Sequence, residues 1–344
     1  MNWRMPSETD PQDRVWMAFP PSGYLLGESA EDADEARSTW SRVAHAVLDF
    51  EPVTMLVDPK DREIAARYLS GEVEIVYAPL NDAWMRDIGP SFVLDESGTE
   101  LGGVDWVFNG WGQQNWASWE FDARIGAEVA RSAGAQLLPS SLVQEGGGIN
   151  VDGLGTVLLT ETVQRDPFRN PGISRAAVEA ELAQKIGSSN AIWLPRGLTR
   201  DSQRFGTRGH VDIVASIPSP GVMLVHSQRN NAHPDHAITQ ALIAGLRDTH
   251  DAAGNSWRIV EVPAPAVLKD AEGWVDYSYI NHLAVNGAVI ACAFDDPADD
   301  ASRGLLQDAY PGRAIVQLDA RPLFARGGGI HCITQQQPSV RRQG

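Results

Sequence analysis

Five times along its length this sequence runs through one figure: a short polar or glycine-rich signature, a strand, a turn and a second strand. The signatures are Arg86-Asp-Ile-Gly-Pro-Ser-Phe-Val-Leu, Glu145-Gly-Gly-Gly-Ile-Asn-Val-Asp-Gly, Arg208-Gly-His-Val-Asp-Ile-Val, Tyr277-Ser-Tyr-Ile-Asn-His-Leu-Ala-Val-Asn-Gly and Arg326-Gly-Gly-Gly-Ile-His-Cys-Ile-Thr. They begin roughly fifty to seventy residues apart, the loose period of a repeat-built fold. Between them, Trp119 to Ala133, Ile173 to Ile186, Ala237 to Leu246 and Ala301 to Ala309 space apolar residues by three and four, which predicts helices. Each unit then reads ββαβ. The last signature has too little chain after it for a helix of its own. The N-terminal stretch supplies one, with a strand at 15–20, an apolar stripe through Ala36, Trp40, Val43, Ala44, Val47 and Leu48, and a strand at Val53–Val57.

Joining the first unit to the last closes a ring and hides strand edges. The expected fold is a five-bladed α/β propeller with pseudo-fivefold symmetry, in a single domain spanning residues 1–344. An open doubly wound sheet is the alternative that the same alternation permits. With 43% hydrophobic and 21% charged residues the chain has globular composition. A formal charge of −17 disfavours nucleic acid and anionic membranes and attracts small organic cations. No apolar run reaches the length of a membrane span, and the N-terminus lacks a secretory layout, so the expected location is the cytoplasm. Two cysteines build no disulfide framework.

Each cysteine is therefore a matter of packing or of chemistry. Cys292 lies in an apolar strand, Ala-Val-Ile-Ala-Cys-Ala-Phe, that should keep its thiol inert. Cys332 follows three glycines, Gly327 first among them, which let a ligand approach closely; it is the candidate nucleophile, with a buried packing role as the alternative. In Gly-His-Val-Asp, strand periodicity would place His210 and Asp212 on one face, an imidazole beside a carboxylate able to move protons near neutral pH. Asp87 and Glu145 are acids at loop-to-strand junctions, either functional or merely solvated. If the signatures meet at one axis, three carboxylates, an imidazole and a thiol share a pocket. That set suits a planar cation with an electrophilic carbon, a guanidinium or amidinium group: carboxylates receive its paired N–H groups and the thiolate attacks its carbon.

These residues stand in motifs that resemble the agmatine deiminases, within the guanidino-modifying enzymes that include arginine deiminases and amidinotransferases. The resemblance runs from about Val15 to Pro338. It rests on Trp84-Met85-Arg86-Asp87 with Gly89-Pro90, Glu145-Gly-Gly with Val151-Asp152-Gly153, Thr160-Glu161 before Arg169-Asn170-Pro171, Trp193-Leu194-Pro195-Arg196-Gly197, Gly209-His210-Val211-Asp212, and Ile330-His331-Cys332-Ile333-Thr334-Gln335-Gln336-Gln337-Pro338. It implies a five-bladed α/β propeller and hydrolytic deimination without a metal or organic cofactor, on the route to putrescine and other polyamines. Carried over by position, Cys332 is the nucleophile and His210 the proton shuttle. Asp87 and Asp212 clamp the guanidinium, and Glu145 holds both the cation and His210. The implied partner is a small guanidino compound, agmatine first; a homodimer is the expected assembly.

The sequence departs from that family just before Gly-His-Val-Asp, where an acid-rich stretch is usual. Here residues 199–208 read Thr-Arg-Asp-Ser-Gln-Arg-Phe-Gly-Thr-Arg, longer and basic. Arg196, Arg200, Arg204 and Arg208 recur every four residues, so an anionic substrate tail bound by Arg208 and its neighbours is one expectation. Pairing of these arginines with nearby acids is the other. Asp201 is the acid expected to receive agmatine's ammonium. Trp84 and Trp111, of eleven tryptophans, are the rings expected to face the cation. Two rival readings are a metal-dependent hydrolase built on His226, His233, His236 and Asp235, and a non-catalytic cation-binding propeller.

Overall fold

Short apolar runs rich in β-branched residues, such as Val-Thr-Met-Leu-Val at Val53–Val57, form strands buried on both faces, and stripes of period 3.6 form the helices that cover them. In the computed structural model, which describes residues 2–341, these elements make six small sheets. Five share one construction: a strand runs antiparallel to a central strand, and after a helix the chain returns as a third strand parallel to the central one.

The repeat is explicit in the ranges. Ser91–Asp95, Leu101–Val107 and Gln136–Val143 form one such sheet, with helix Ile125–Ser132 in the crossover. Ile149–Val151, Thr156–Thr160 and Asn190–Leu194 form the next, around helix Arg175–Ile186. Ala215–Ser219, Val222–Ser227 and Arg258–Pro263 follow with helix Asp235–Arg247. Leu283–Val285, Ala288–Ala293 and Ala314–Asp319 follow with helix Ala298–Ala309. The remaining unit joins the two ends of the chain: Thr334–Pro338 pairs antiparallel with Gln12–Ala18, which runs parallel to Val53–Val57 across helix Ala30–Leu48. A hairpin, Lys269–Asp270 with Gly273–Trp274, is the sixth sheet. Among the described residues no sheet exceeds four strands, so the open doubly wound alternative does not form.

Helix ends follow their local chemistry. The Ser29 hydroxyl accepts the Asp32 N–H while the Asp32 carboxylate accepts the Ser29 N–H, a reciprocal cap opening helix Ala30–Leu48. Gly187 closes Arg175–Ile186 in a left-handed conformation, φ 71°, where a Cβ would lie 2.5 Å from the Trp3 carbonyl oxygen. That helix packs Val178, Leu182 and Ile186 against Val93, Val104, Val157 and Leu159, an apolar seam between neighbouring sheets. Central strands such as Ala288–Ala293 carry the larger core.

The polar signatures lie in turns just ahead of each antiparallel strand: Met85–Ile88, Gly146–Gly148, Val211–Ile213, residues 279–280 and residues 330–333. The strand expected for Gly-His-Val-Asp is thus replaced by a single 3-10 turn. The cause is upstream: Asp201 accepts the backbone N–H groups of Gly209 and His210, so neither is available to a strand ladder.

The Trp16 Nε1–H donates to Gln337 Oε1 at 2.9 Å in the interior, across the pair of strands that joins the chain ends. Gln337→Ala leaves that N–H without a partner and should lower stability by about 1–3 kcal/mol in urea titrations followed by tryptophan fluorescence. Parent-like stability would contradict the pairing.

Candidate active site

All five signatures deliver a side chain to one point. A Cβ on Gly147 would lie 2.6 Å from His210 Nδ1, 2.9 Å from Asp87 Oδ1 and 3.0 Å from Asp212 Oδ2, so only glycine admits this convergence. His210 Nε2 is 3.2 Å from Glu145 Oε2, and its Nδ1 is 3.7 Å from Asp87 Oδ1. Cys332 Sγ lies 3.5 Å from Asp212 Oδ2 and receives the Asn281 side-chain N–H at 3.2 Å. None of these side chains is more than 5% exposed. Asp212 Oδ1 and His210 Nδ1 are buried and lack a hydrogen-bond partner, two polar atoms left for something else to engage.

The charges are arranged in opposing layers. Burial by itself would raise the Glu145 carboxyl; Arg169, which donates Nε–H to both its oxygens at 2.9 and 3.1 Å, and then His210 hold it at about 2. Burial pushes Asp87 up to about 6, with Asp212 and Glu145 adding to the rise and His210 opposing it. The Trp111 Nε1–H and the Gly147 N–H each donate to one of its oxygens. Burial disfavours a charged His210, yet Asp87, Glu145 and Asp212 together raise it to about 9. Burial likewise pushes the Cys332 thiol well up, Asp212 and Asp87 push it further, and the Asn281 and Gly329 donors pull the other way. Below pH 9 the site therefore holds an imidazolium and a neutral thiol.

The outer residues divide. Trp111 sits beside Asp87 with its own backbone left-handed at φ 54°, and it stacks on Trp116. Trp84 donates to the Tyr24 hydroxyl and lies within 3.0 Å of a Cβ placed on Gly328, which would itself be 2.9 Å from Cys332 Sγ. Gly327, φ 124°, lies against the Phe205 carbonyl oxygen. Asp201 is turned away from any ligand role: its carboxylate accepts Thr207 N–H and hydroxyl together with Gly209 and His210 N–H, and so positions the His210 backbone. Arg208 is taken by Asp166 at 2.6 and 2.9 Å and lies over the Phe168 ring. Neither is free to hold a substrate tail.

Arg169, Asn281, His331 and Glu8 also belong to the site, although the sequence gives none of them a role of its own. The first three stand inside family-like strings, Arg169-Asn170-Pro171, Ser278-Tyr279-Ile280-Asn281 and Ile330-His331-Cys332, whereas Glu8 carries no sequence signal. Two histidines of the metal-dependent rival, His233 and His236, are committed elsewhere. His233 Nε2 pairs with the Val275 carbonyl and His236 Nδ1 with the Gln228 carbonyl, and among the described residues no group of three His, Cys, Asp or Glu side chains is placed to hold a metal ion. Cys292 donates to the Asn281 carbonyl, and burial raises its thiol to about 12.

The family model of Porphyromonas-type peptidyl-arginine deiminases matches residues 4–338. The chain belongs to that family. Within it, this deiminase-family protein is 36% identical to an agmatine deiminase of Pseudomonas putida, over 98% of this chain and 96% of that one. A Streptomyces coelicolor protein provisionally named an agmatine deiminase is 54% identical, over 98% of this chain and 99% of its own. The solved structure of the Enterococcus faecalis agmatine deiminase superposes with a TM-score of 0.91 at 30% identity, covering 98% of this chain and 96% of that one. The mixed α/β fold is therefore that of the agmatine deiminase structures.

Arg169 has no exposed side-chain surface and is the principal counter-charge of Glu145. Arg169→Met should cost about 3–5 kcal/mol in equilibrium urea unfolding, since it strands a buried carboxylate. A loss below about 1 kcal/mol would mean that Glu145 does not depend on it.

Proposed function

We propose that this chain is a hydrolytic agmatine deiminase, converting agmatine and water to N-carbamoylputrescine and ammonia, within one catalytic domain built as a five-bladed α/β propeller. The five ββαβ sheets, each opened by a turn that reaches the same point, support the propeller reading. A substrate cation at that centre would meet Asp87, Glu145 and Asp212, with the unpartnered Asp212 Oδ1 offered to its N–H groups. That convergence of three acids, one imidazole and one thiol carries the proposal.

The charge layers suggest an order of events. Burial, with the acids adding to it, keeps Cys332 protonated until a cation arrives. A bound guanidinium offsets their field, so that the thiol gives its proton up to solvent as the substrate binds and leaves a thiolate, which the Asn281 N–H also stabilises. The thiolate forms a C–S bond to the guanidinium carbon, giving a tetrahedral adduct. His210, an imidazolium held beside Glu145, protonates one amino group, the C–N bond breaks and ammonia leaves. A thiouronium remains on Cys332. Neutral His210 then takes a proton from water, whose oxygen attacks the same carbon; the C–S bond breaks, the adduct's hydroxyl proton passes to the departing sulfur, and the ureido product and the free thiol are released.

The tail reading follows from the arginines. Arg200 is bound to Asp270 and Arg208 to Asp166, so two of the stretch's four arginines are neutralised by their own neighbours, as suits a cationic substrate. Arg204 has no salt bridge among the described residues and lies over the Phe205 ring, which favours a guanidino acid as the second reading. An ammonia-release panel of agmatine, arginine, 4-guanidinobutyrate and N-substituted agmatines separates them. Agmatine should give the highest kcat/KM; release from the acid alone would replace the first reading with the second, and release from none would end the deiminase reading.

Cys332→Ala should lose turnover by at least about four orders of magnitude while still binding agmatine in calorimetry; residual activity near that of the parent would refute the assignment. His210 loses its proton near pH 9, so the general acid is present below that pH and lost above it. The alkaline limb of kcat/KM should accordingly lie near 9, and a limb near the ordinary histidine value of about 6.5 would show that the surrounding acids do not hold the imidazolium.

A further inference from the structure

Behind the guanidinium-facing groups lies a second buried line that the proposed mechanism leaves unused. His331 Nδ1 is 2.9 Å from Asp212 Oδ2, and its Nε2 is 3.0 Å from Glu8 Oε1. The imidazole thus bridges two carboxylates, and a ring nitrogen facing each carboxylate oxygen needs a proton on both. Glu8 enters from the N-terminal segment and also receives the Asn150 side-chain N–H at 3.2 Å. The His331 N–H donates to Asn281 Oδ1, fixing the turn that carries Cys332 to the residue that donates to its sulfur.

We infer that His331 is a positioning residue: as an imidazolium balanced by Glu8, it takes up Asp212 Oδ2 and keeps that carboxylate ionised, leaving Oδ1 open to the substrate. This inference rests on the deiminase reading, because it gives Asp212 its task there. It accounts for the asymmetry of Asp212, one oxygen bonded and one buried without a partner. It also explains the difference between two neighbouring acids in one cavity. Burial acts to raise both, but Asp212 has His331 behind it and is held low, whereas Asp87 has only neutral donors bonded to it and stands at about 6.

The charged surroundings are specified on every side. Asp212 faces Asp87, His210, Cys332 and Asp201, with His331 and Arg86 behind it. His331 faces Asp212 and Glu8, which favour its proton, and Arg86, which opposes it. Arg86 stands 4.0 Å from Glu8, donates to Gln336 Oε1 and reaches the His331 carbonyl. His282 is neutral, held at about 4 by burial, and hydrogen-bonded to the Tyr279 carbonyl and the Tyr310 hydroxyl.

His331→Asn tests this, since its amide N–H can stand where Nδ1–H stood but carries no charge. Removing a cation in contact with a carboxylate moves its proton affinity up by about 1–3 units. Because Asp87 already titrates at about 6, the inference predicts that the acid limb of kcat/KM for agmatine, a one-proton limb in the parent, steepens toward two protons and shifts to higher pH as Asp212 joins it, with the alkaline side of the profile reduced less than about tenfold. His331→Leu, which has no donor, should fall further at every pH. A purely structural role lowers the whole profile and leaves the limb in place, and a limb coincident with the parent's overturns the inference. If turnover is too low to profile, agmatine binding to Cys332→Ala and to Cys332→Ala/His331→Asn is measured over the same pH range. The double variant should then lose affinity on acidification more steeply and at higher pH, and coincident binding curves overturn the inference in the same way. Failure of the parent to deiminate any guanidino compound would instead strike the underlying reading.

Discussion

Two carboxylates and an imidazole crowded around Gly147, with the Glu145 carboxylate bonded to that imidazole and all of them buried, set the terms for everything around them. Buried like charges repel strongly, and each tends to protonate unless a cation or several donors stand against it. This protein meets that condition by layering. Arg169 stands against Glu145, His331 against Asp212, and the Trp111 and Gly147 donors against Asp87, with His210 between Asp87 and Glu145. The arrangement is complete on its outer side and open on its inner side, where Asp212 Oδ1 and His210 Nδ1 have no partner. In the proposed function a substrate cation bound there would supply the missing charge.

In the proposed mechanism the same layering would keep Cys332 quiet until substrate binds. Acids that attract a guanidinium also hold the thiol protonated, so attack is coupled to occupancy instead of standing ready against any electrophile. The turns ahead of the antiparallel strands make this geometry attainable in backbone terms. Each turn presents one or two polar side chains, and the strand behind it anchors the turn in a sheet whose apolar faces are buried. Residues in left-handed conformations, Trp111, Phe205 and Arg208, lie around the rim, where strain is held by stacking and ion pairing.

Much of this was legible in the chain. Val53–Val57 forms with the bounds its apolar run suggested, and the helix at Arg175–Ile186 begins two residues inside its stripe, where the Ser174 side chain accepts the Ala177 N–H. The five signatures, read as units of one repeat, lead to sheets of one construction. What was not legible depends on contacts at a distance. The Gly-His-Val-Asp strand gave way to a turn because Asp201, several residues upstream, captured the N–H groups a ladder would have used. Asp201 itself looked like a ligand for an ammonium and is a scaffold for backbone amides. The spacing of the arginines showed their number and not their partners, Asp166 and Asp270, which come from remote loops. Glu8, a lone acid among polar neighbours, had nothing in its surroundings to mark it.

The central claim is that Cys332 bonds to the carbon of a guanidinium seated among these acids. Acid quenching of the enzyme during agmatine turnover, followed by mass measurement of the peptide that contains Cys332, tests it directly. The account predicts a peptide heavier by agmatine less one ammonia, which disappears once substrate is consumed. Steady ammonia release with that peptide unmodified at every quench time would contradict it.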